Sequence, residues 1–292
     1  MRSGDTIAAP EELSVNQRAA LLNLLADEDA AVYQKVREKI ISCGPKAVEW
    51  LRPHTLSDDA VLRRRAQGLV RHFARQSADD RFLAFCLKHG EEFDLEEGAW
   101  LLAQTQYPDI NVEAYRALLD VFADELRQRL DLGAKTKELL TSVNTYLFRT
   151  LGFRGDEENY YDPENSYFNR VIDRRAGNPI NLCLVYLLVG RRLRLPVAGI
   201  GLPGHFICRY QSSAAEIYID AFNRGKLLAK ADCIQYLVQA NFSLRDDYLA
   251  PLSPRKMLRR ICANLHQIYQ KLGLREEVTR LHRYGVALDR EI

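Results

Sequence analysis

The chain has 292 residues, 47% of them hydrophobic and 27% charged, with a formal net charge of +2. That is the composition of an ordinary globular protein, long enough for roughly two domains. So small a net charge excludes the strong field that nucleic acid or an anionic membrane surface would select.

The opening stretch, MRSGDTIAAPEEL, has neither the basic start nor the apolar run of a signal peptide. No later apolar run is long enough to span a bilayer. Cysteines at 43, 86, 183, 208, 233 and 262 show no CxxC spacing. They read as free thiols in a reducing cytoplasm.

The first third reads as helical. Leu21, Leu22, Leu25, Val32, Val36, Ile40 and Ile41 form an apolar stripe, broken by an acidic turn and stopped at Gly44-Pro45. A second acidic turn, Asp58-Asp59, precedes Val61, Leu62, Ala66, Leu69, Val70 and Phe73. The two turns are offset by about 30 residues, which suits stacked helical hairpins of the HEAT-like kind over 1–93. The doublets Arg174-Arg175, Arg191-Arg192 and Arg259-Arg260, like the run Arg63-Arg64-Arg65, read as solvated helix faces.

From Leu95 two amphipathic helices surround a Tyr107-Pro108-Asp109 turn, and TKELLTSVNTYLFRTLGF supplies a third. RGDEENYYDPENS is then a polar loop of a length that is often functional. Helices follow over about 166–175 and 179–195, the second apolar on nearly every side and therefore buried. After Pro196 the period drops to two. VAGIGL, HFICRY and EIYIDAF predict a small antiparallel sheet, and a short helix follows over about 230–240. The last forty residues read as a helical hairpin turning at Leu272-Gly273-Leu274. The expected class is α+β, mostly α.

The set YYDPENSYFNRVIDRRAGNPINLCLVY, GLPGHFICRY and YIDAFNRG resembles the SirB-type transglutaminase-like family. The resemblance runs from about Leu95 nearly to the end. It implies a transglutaminase-like (papain-like) core over 94–250 and a tetratricopeptide-like hairpin over 251–292. Ala221 stands where the family more usually has proline.

A site of that kind needs a cysteine near the N-terminus of the central helix, where the dipole favours thiolate. A histidine on the sheet takes its proton, and an acid or amide orients the imidazole. Carried over residue by residue, the candidates are Cys183, His205 and Asp220. Strand alternation puts His205 with Ile207 and Arg209, and Cys208 on the opposite face, so Cys208 suits neither a thiol pair nor a metal pair with His205. On the next strand Glu216, Tyr218 and Asp220 share a face.

Gly177 can end one helix in the left-handed conformation, and Asn165 reads as a helix cap. Either Asn178 or Asn181 can cap the next helix. With Asn178, Cys183 is the fifth helical residue and gains little from the dipole; with Asn181 it is the second. Histidines at 54, 72, 89, 205, 266 and 282 show no metal-ligand spacing. No cofactor is expected, since phosphate-binding and dinucleotide-binding glycine patterns are absent.

Two functions follow. One is a binding or scaffold protein whose thiol site is degenerate, with the cleft and helical flanks taking a protein or peptide partner. The alternative is a cysteine-dependent acyl-transfer enzyme in which Cys183 attacks, His205 shuttles the proton and Asp220 orients it.

Overall fold

The computed structural model describes residues 13–88, 93–131, 133–242 and 245–289. His89 and all but the last residue of the opening stretch lie outside them. The chain divides into two compact units, one of residues up to Asp80 with Thr105–Asp109, the other of Arg81–Gln104 with Ile110 onward.

In the first unit, helices α1 (Val15–Leu25), α2 (Ala30–Ser42) and α3 (Ala47–Leu51) precede the long α4 (Ala60–Cys86). The acidic turns are helix caps. Asp29 accepts from Ala31 N–H at 2.7 Å, and Asp59 accepts from Val61 N–H at 2.8 Å, each satisfying an N–H with no partner in its own helix. The predicted stripe is the core: Leu25, Val36, Ile40, Leu51, Leu69 and Phe73 are buried together. Arg65 departs from a solvated face. It donates to the Leu25 carbonyl at 2.8 Å and lies 4.2 Å from the Tyr33 ring centroid.

The second unit is built around α9 (Pro179–Arg192), in which every residue from Pro179 to Val189 except Leu187 is buried. An apolar rod of that kind must be covered on all sides. It packs against β3 (Val197–Ile200) and β4 (Ile207–Gln211), with α6 (Val112–Arg127), α8 (Phe168–Arg174) and α11 (Pro254–Lys271) also in contact. The sheet continues through β5 (Glu216–Asp220) and β6 (Lys226–Leu228) in the order β3-β4-β5-β6, antiparallel throughout. The helices α5 (Leu95–Gln106), α7 (Thr136–Asn144), α10 (Lys230–Gln239) and α12 (Arg275–Asp289) are the remaining α-helices among the described residues. The class is α+β with a large helical share, as the periodicities predict. No helix among the described residues is long and apolar enough to cross a membrane.

Two short features escape periodicity. A π-turn at Thr145–Thr150 follows α7, and the two-residue strands β1 (Arg154–Gly155) and β2 (Ala176–Gly177) pair in parallel. They tie the start of the long polar loop to the residues just before α9. The left-handed residue ending α8 is Arg175, with φ 54°, and not Gly177. The Arg175 guanidinium lies 4.6 Å from the Phe122 centroid and 4.8 Å from that of Phe153, contacts that offset the cost of the conformation. Gly177 serves packing instead, since a Cβ there would lie 3.0 Å from Val171 Cγ1.

The turn after β5 requires glycine for both reasons. Gly225 has φ +75°, its N–H donates to the Asp220 carbonyl at 2.8 Å, and an added Cβ would sit 2.6 Å from Asn144 Cγ and Phe148 Cε2. Gly225→Ala is expected to destabilise the protein by about 2–4 kcal/mol, summing backbone strain and overpacking. Urea unfolding checks this; a loss under about 0.5 kcal/mol would place the effect in the ordinary surface range and contradict the packing described.

Candidate functional site

The local sequence GNPIN sets the geometry of the site. Asn178, extended at φ −79° and ψ 169°, caps α9 and accepts from Asn181 N–H at 3.1 Å. Pro179 occupies the first helical position, where a missing N–H costs nothing. Asn178 also donates to Ser166 Oγ at 2.8 Å, while its own N–H reaches the Asn165 carbonyl at 3.2 Å. Asn165 is therefore no helix cap. It is fully buried at the end of a 3₁₀ turn and its side chain donates to the Asn159 carbonyl at 2.8 Å, holding the polar loop against the corner.

That loop is fixed a second time by charge. Arg174 reaches Asp156 at 3.2 Å, Asp162 at 2.8 Å and Glu164 at 3.2 Å. An arginine shared among three partly buried carboxylates is worth more than an isolated surface pair, because its planar fork satisfies several acceptors without reorganising. The loop so held carries Tyr160 and Tyr161 to the wall of a cavity of about 450 Å³.

The rest of that wall comes from Asn178, Pro179 and Ile180 at the start of α9, from Gly204, His205 and Phe206 before β4, and from α11 through Arg260, Asn264 and Gln267. The α11 contribution was not read from the sequence; the Arg259-Arg260 doublet suggested only a solvated face. Arg259 is exposed, but Arg260 is half-buried and its Nη2 donates to the carbonyls of Leu202 at 2.7 Å and His205 at 2.8 Å. The hydroxyls of Tyr167 and Tyr269, 2.9 Å apart, join the entry to α8 with α11.

His205 and Asp220 are brought together. His205 Nε2 and Asp220 Oδ2 are 2.9 Å apart, because β4 and β5 pair with Cys208 opposite Ile219 and leave both side chains on one face. Asn223 supports the carboxylate through its side chain at 2.8 Å and its backbone N–H at 3.2 Å. Burial raises the Asp220 pKa, but the hydrogen bonds and charge of His205 and the Asn223 donors outweigh it and hold the carboxyl below its usual range. His205 and Asp220 also line a second cavity of about 490 Å³, with Asp232 and Tyr236.

Cys183 does not join them on the cavity wall. The Asn178 cap makes it the fifth residue of α9, it is 0% exposed, and its Sγ donates to the Phe206 carbonyl at 3.6 Å. Burial, followed by the neighbouring Cys208, drives its pKa well above that of a free thiol. Cys208 is likewise buried and turned toward α9, its Sγ 3.8 Å from the Cys183 carbonyl. Among the described residues no three His, Cys, Asp or Glu side chains gather as metal ligands would.

A buried central helix against an antiparallel sheet, with a histidine–acid pair beside the helix N-terminus, is the arrangement of papain-like folds. The chain belongs to the transglutaminase-like superfamily, whose family profile matches residues 113–263. It is 36% identical over 186 residues to a UPF0162 protein of Xylella fastidiosa, covering 61% of this chain and 66% of that protein. A UPF0162 protein of Pseudomonas aeruginosa is 31% identical over 64% of this chain and 69% of its own length. F-box only protein 21 of Mus musculus is 32% identical over 47% of this chain, a region that forms 23% of that protein. The match thus spans slightly under two thirds of the Xylella relative. No solved structure matches.

The depressed Asp220 pKa fixes the sign of a pH effect. A carboxyl held below its unfolded value contributes stability above about pH 4, and the contribution is lost as pH falls through the folded value. Asp220→Asn should cost about 1–2 kcal/mol at neutral pH. The gap between the two proteins, measured by urea unfolding, should begin to narrow on acidification below about pH 4, where the unfolded carboxyl takes up its proton, and close as pH falls through the lower folded value. A gap unchanged at pH 3 would show that charge on Asp220 contributes nothing.

Proposed function

We propose that the protein is a SirB-type binding or scaffold protein in which a transglutaminase-like cleft has lost its thiol chemistry. One observation carries this reading: the Cys183 sulfur is enclosed, bonded to a carbonyl and off the wall of the cavity that His205 lines. A nucleophilic cysteine must reach substrate as thiolate, and full burial opposes both requirements. The same cavity is open enough, and polar enough on the α11 side, to hold a small ligand or peptide end. Recurrence of the core as 23% of a much longer mouse protein supports its use as a module. The HEAT-like N-terminal helices and the tetratricopeptide-like pair α11 and α12 would supply partner surfaces. A cytoplasmic setting belongs to this reading, because all six cysteines are unpaired.

The intact His205–Asp220 pair at 2.9 Å favours a second reading, acyl transfer with Cys183 as nucleophile. Alkylation separates the two. With iodoacetamide and mass spectrometry on the native protein, the half-exposed Cys43 should be labelled while Cys183 stays unmodified until the chain is unfolded. Rapid labelling of Cys183 below neutral pH, lost in Cys183→Ser, would establish an activated thiol and overturn the binding reading.

A further inference from the structure

The cavity has a positive charge on its wall and no anion among its lining residues. Arg260 is the one permanent charge among its lining residues, and no lining residue is Asp or Glu. Its hydrogen bonds go to two backbone carbonyls, which brace the turn carrying His205 but leave the charge uncompensated. Burial lowers the Arg260 pKa, and the groups that act against this are Tyr160, Tyr236 and Cys183, none of them an anion at neutral pH.

The start of α9 adds to the same field. In its first turn Pro179 has no N–H and the Asn181 N–H is taken by Asn178, so the Ile180 N–H is left without a partner among the described residues. Ile180 lines the cavity, and an unbonded N–H at the head of a 14-residue helix favours negative charge. Lys271 Nζ lies 3.3 Å from the ring centroid of Tyr161, a lining residue.

We infer that the cavity binds the carboxylate of an N-acyl amino acid or of a peptide C-terminus, set between Arg260 and the head of α9. This deepens the binding reading and rests on it. The cavity volume of about 450 Å³ suits one or two residues rather than a folded partner. Asn264 and Gln267 present amides to one side of such a ligand, matching the donors and acceptors of its peptide groups. Phe206, Ile268 and Tyr160 present apolar surface to its side chain. A carboxylate would supply the charge that Arg260 lacks, bidentate geometry being the strongest form of that pairing.

The test is calorimetric titration of the whole chain with N-acetyl-phenylalanine and, separately, N-acetyl-phenylalanine amide. The acid should bind at least ~10-fold more tightly, about 1.4 kcal/mol. Arg260→Gln should abolish that preference and Arg260→Lys should keep part of it. Should Arg260→Gln fail to fold, the acid–amide comparison on the wild-type protein decides alone. Equal affinity for acid and amide, or no heat from either at millimolar concentration, overturns the inference. A hexapeptide ending in phenylalanine that binds more tightly than the N-acetyl acid identifies a protein C-terminus as the source; equal binding identifies a small N-acyl amino acid. Failure here leaves the Cys183 alkylation result untouched, so the two readings fall separately.

Discussion

The side-chain amide of Asn178 sets the register on which the site depends. By capping α9 it determines which residues stand at the helix head and which lie a turn inside. Its second bond, to Ser166, attaches that head to the loop carrying Tyr160 and Tyr161. Had Asn181 been the cap, Cys183 would have been the second helical residue, within reach of the dipole. With Asn178 it belongs to the hydrogen-bonded interior. One hydrogen bond thus decides whether position 183 stands at the helix head or a turn inside it.

The packing of the two cysteine-bearing elements favours neutral thiols. Cys183 and Cys208 meet between α9 and the sheet, each giving a weak hydrogen bond to a carbonyl. Neutral thiols suit that apolar layer as small hydrophobes, whereas a thiolate there would be heavily desolvated. The charged groups are instead gathered at the cavity. The His205–Asp220 pair, the half-buried Arg260 and the head of α9 converge where a papain-like enzyme would stabilise its reacting anion.

Much of this was legible in the chain. The near-continuous apolar run after Pro179 marked a buried helix, the change to period two marked the sheet, and alternation set Cys208 apart from His205. The acidic turns near 29 and 59 were visible as punctuation, though their role as caps needed coordinates. What sequence reasoning missed has a common cause. Arg260 is separated from His205 by 55 residues, and nothing local distinguishes an arginine folded onto carbonyls from one in water. The π-turn after α7 and the two-residue pairing of β1 with β2 are too short to leave a period. The left-handed residue fell on Arg175 rather than Gly177 because two aromatic rings, distant in sequence, hold its guanidinium.

The central claim is that the head of α9 is an anion-stabilising position at which this chain carries no thiol. Placing a thiol there tests it directly. Ile180→Cys puts a thiol at a position lining the cavity that His205 also lines, in a Cys183→Ser background with label at 180 resolved from that at Cys43 by peptide mass mapping. The account predicts that iodoacetamide labels position 180 rapidly below pH 7, with an apparent pKa lowered by about one unit or more from the free-cysteine value near 8.5. Labelling that begins only above pH 8, as for an ordinary thiol, would contradict it.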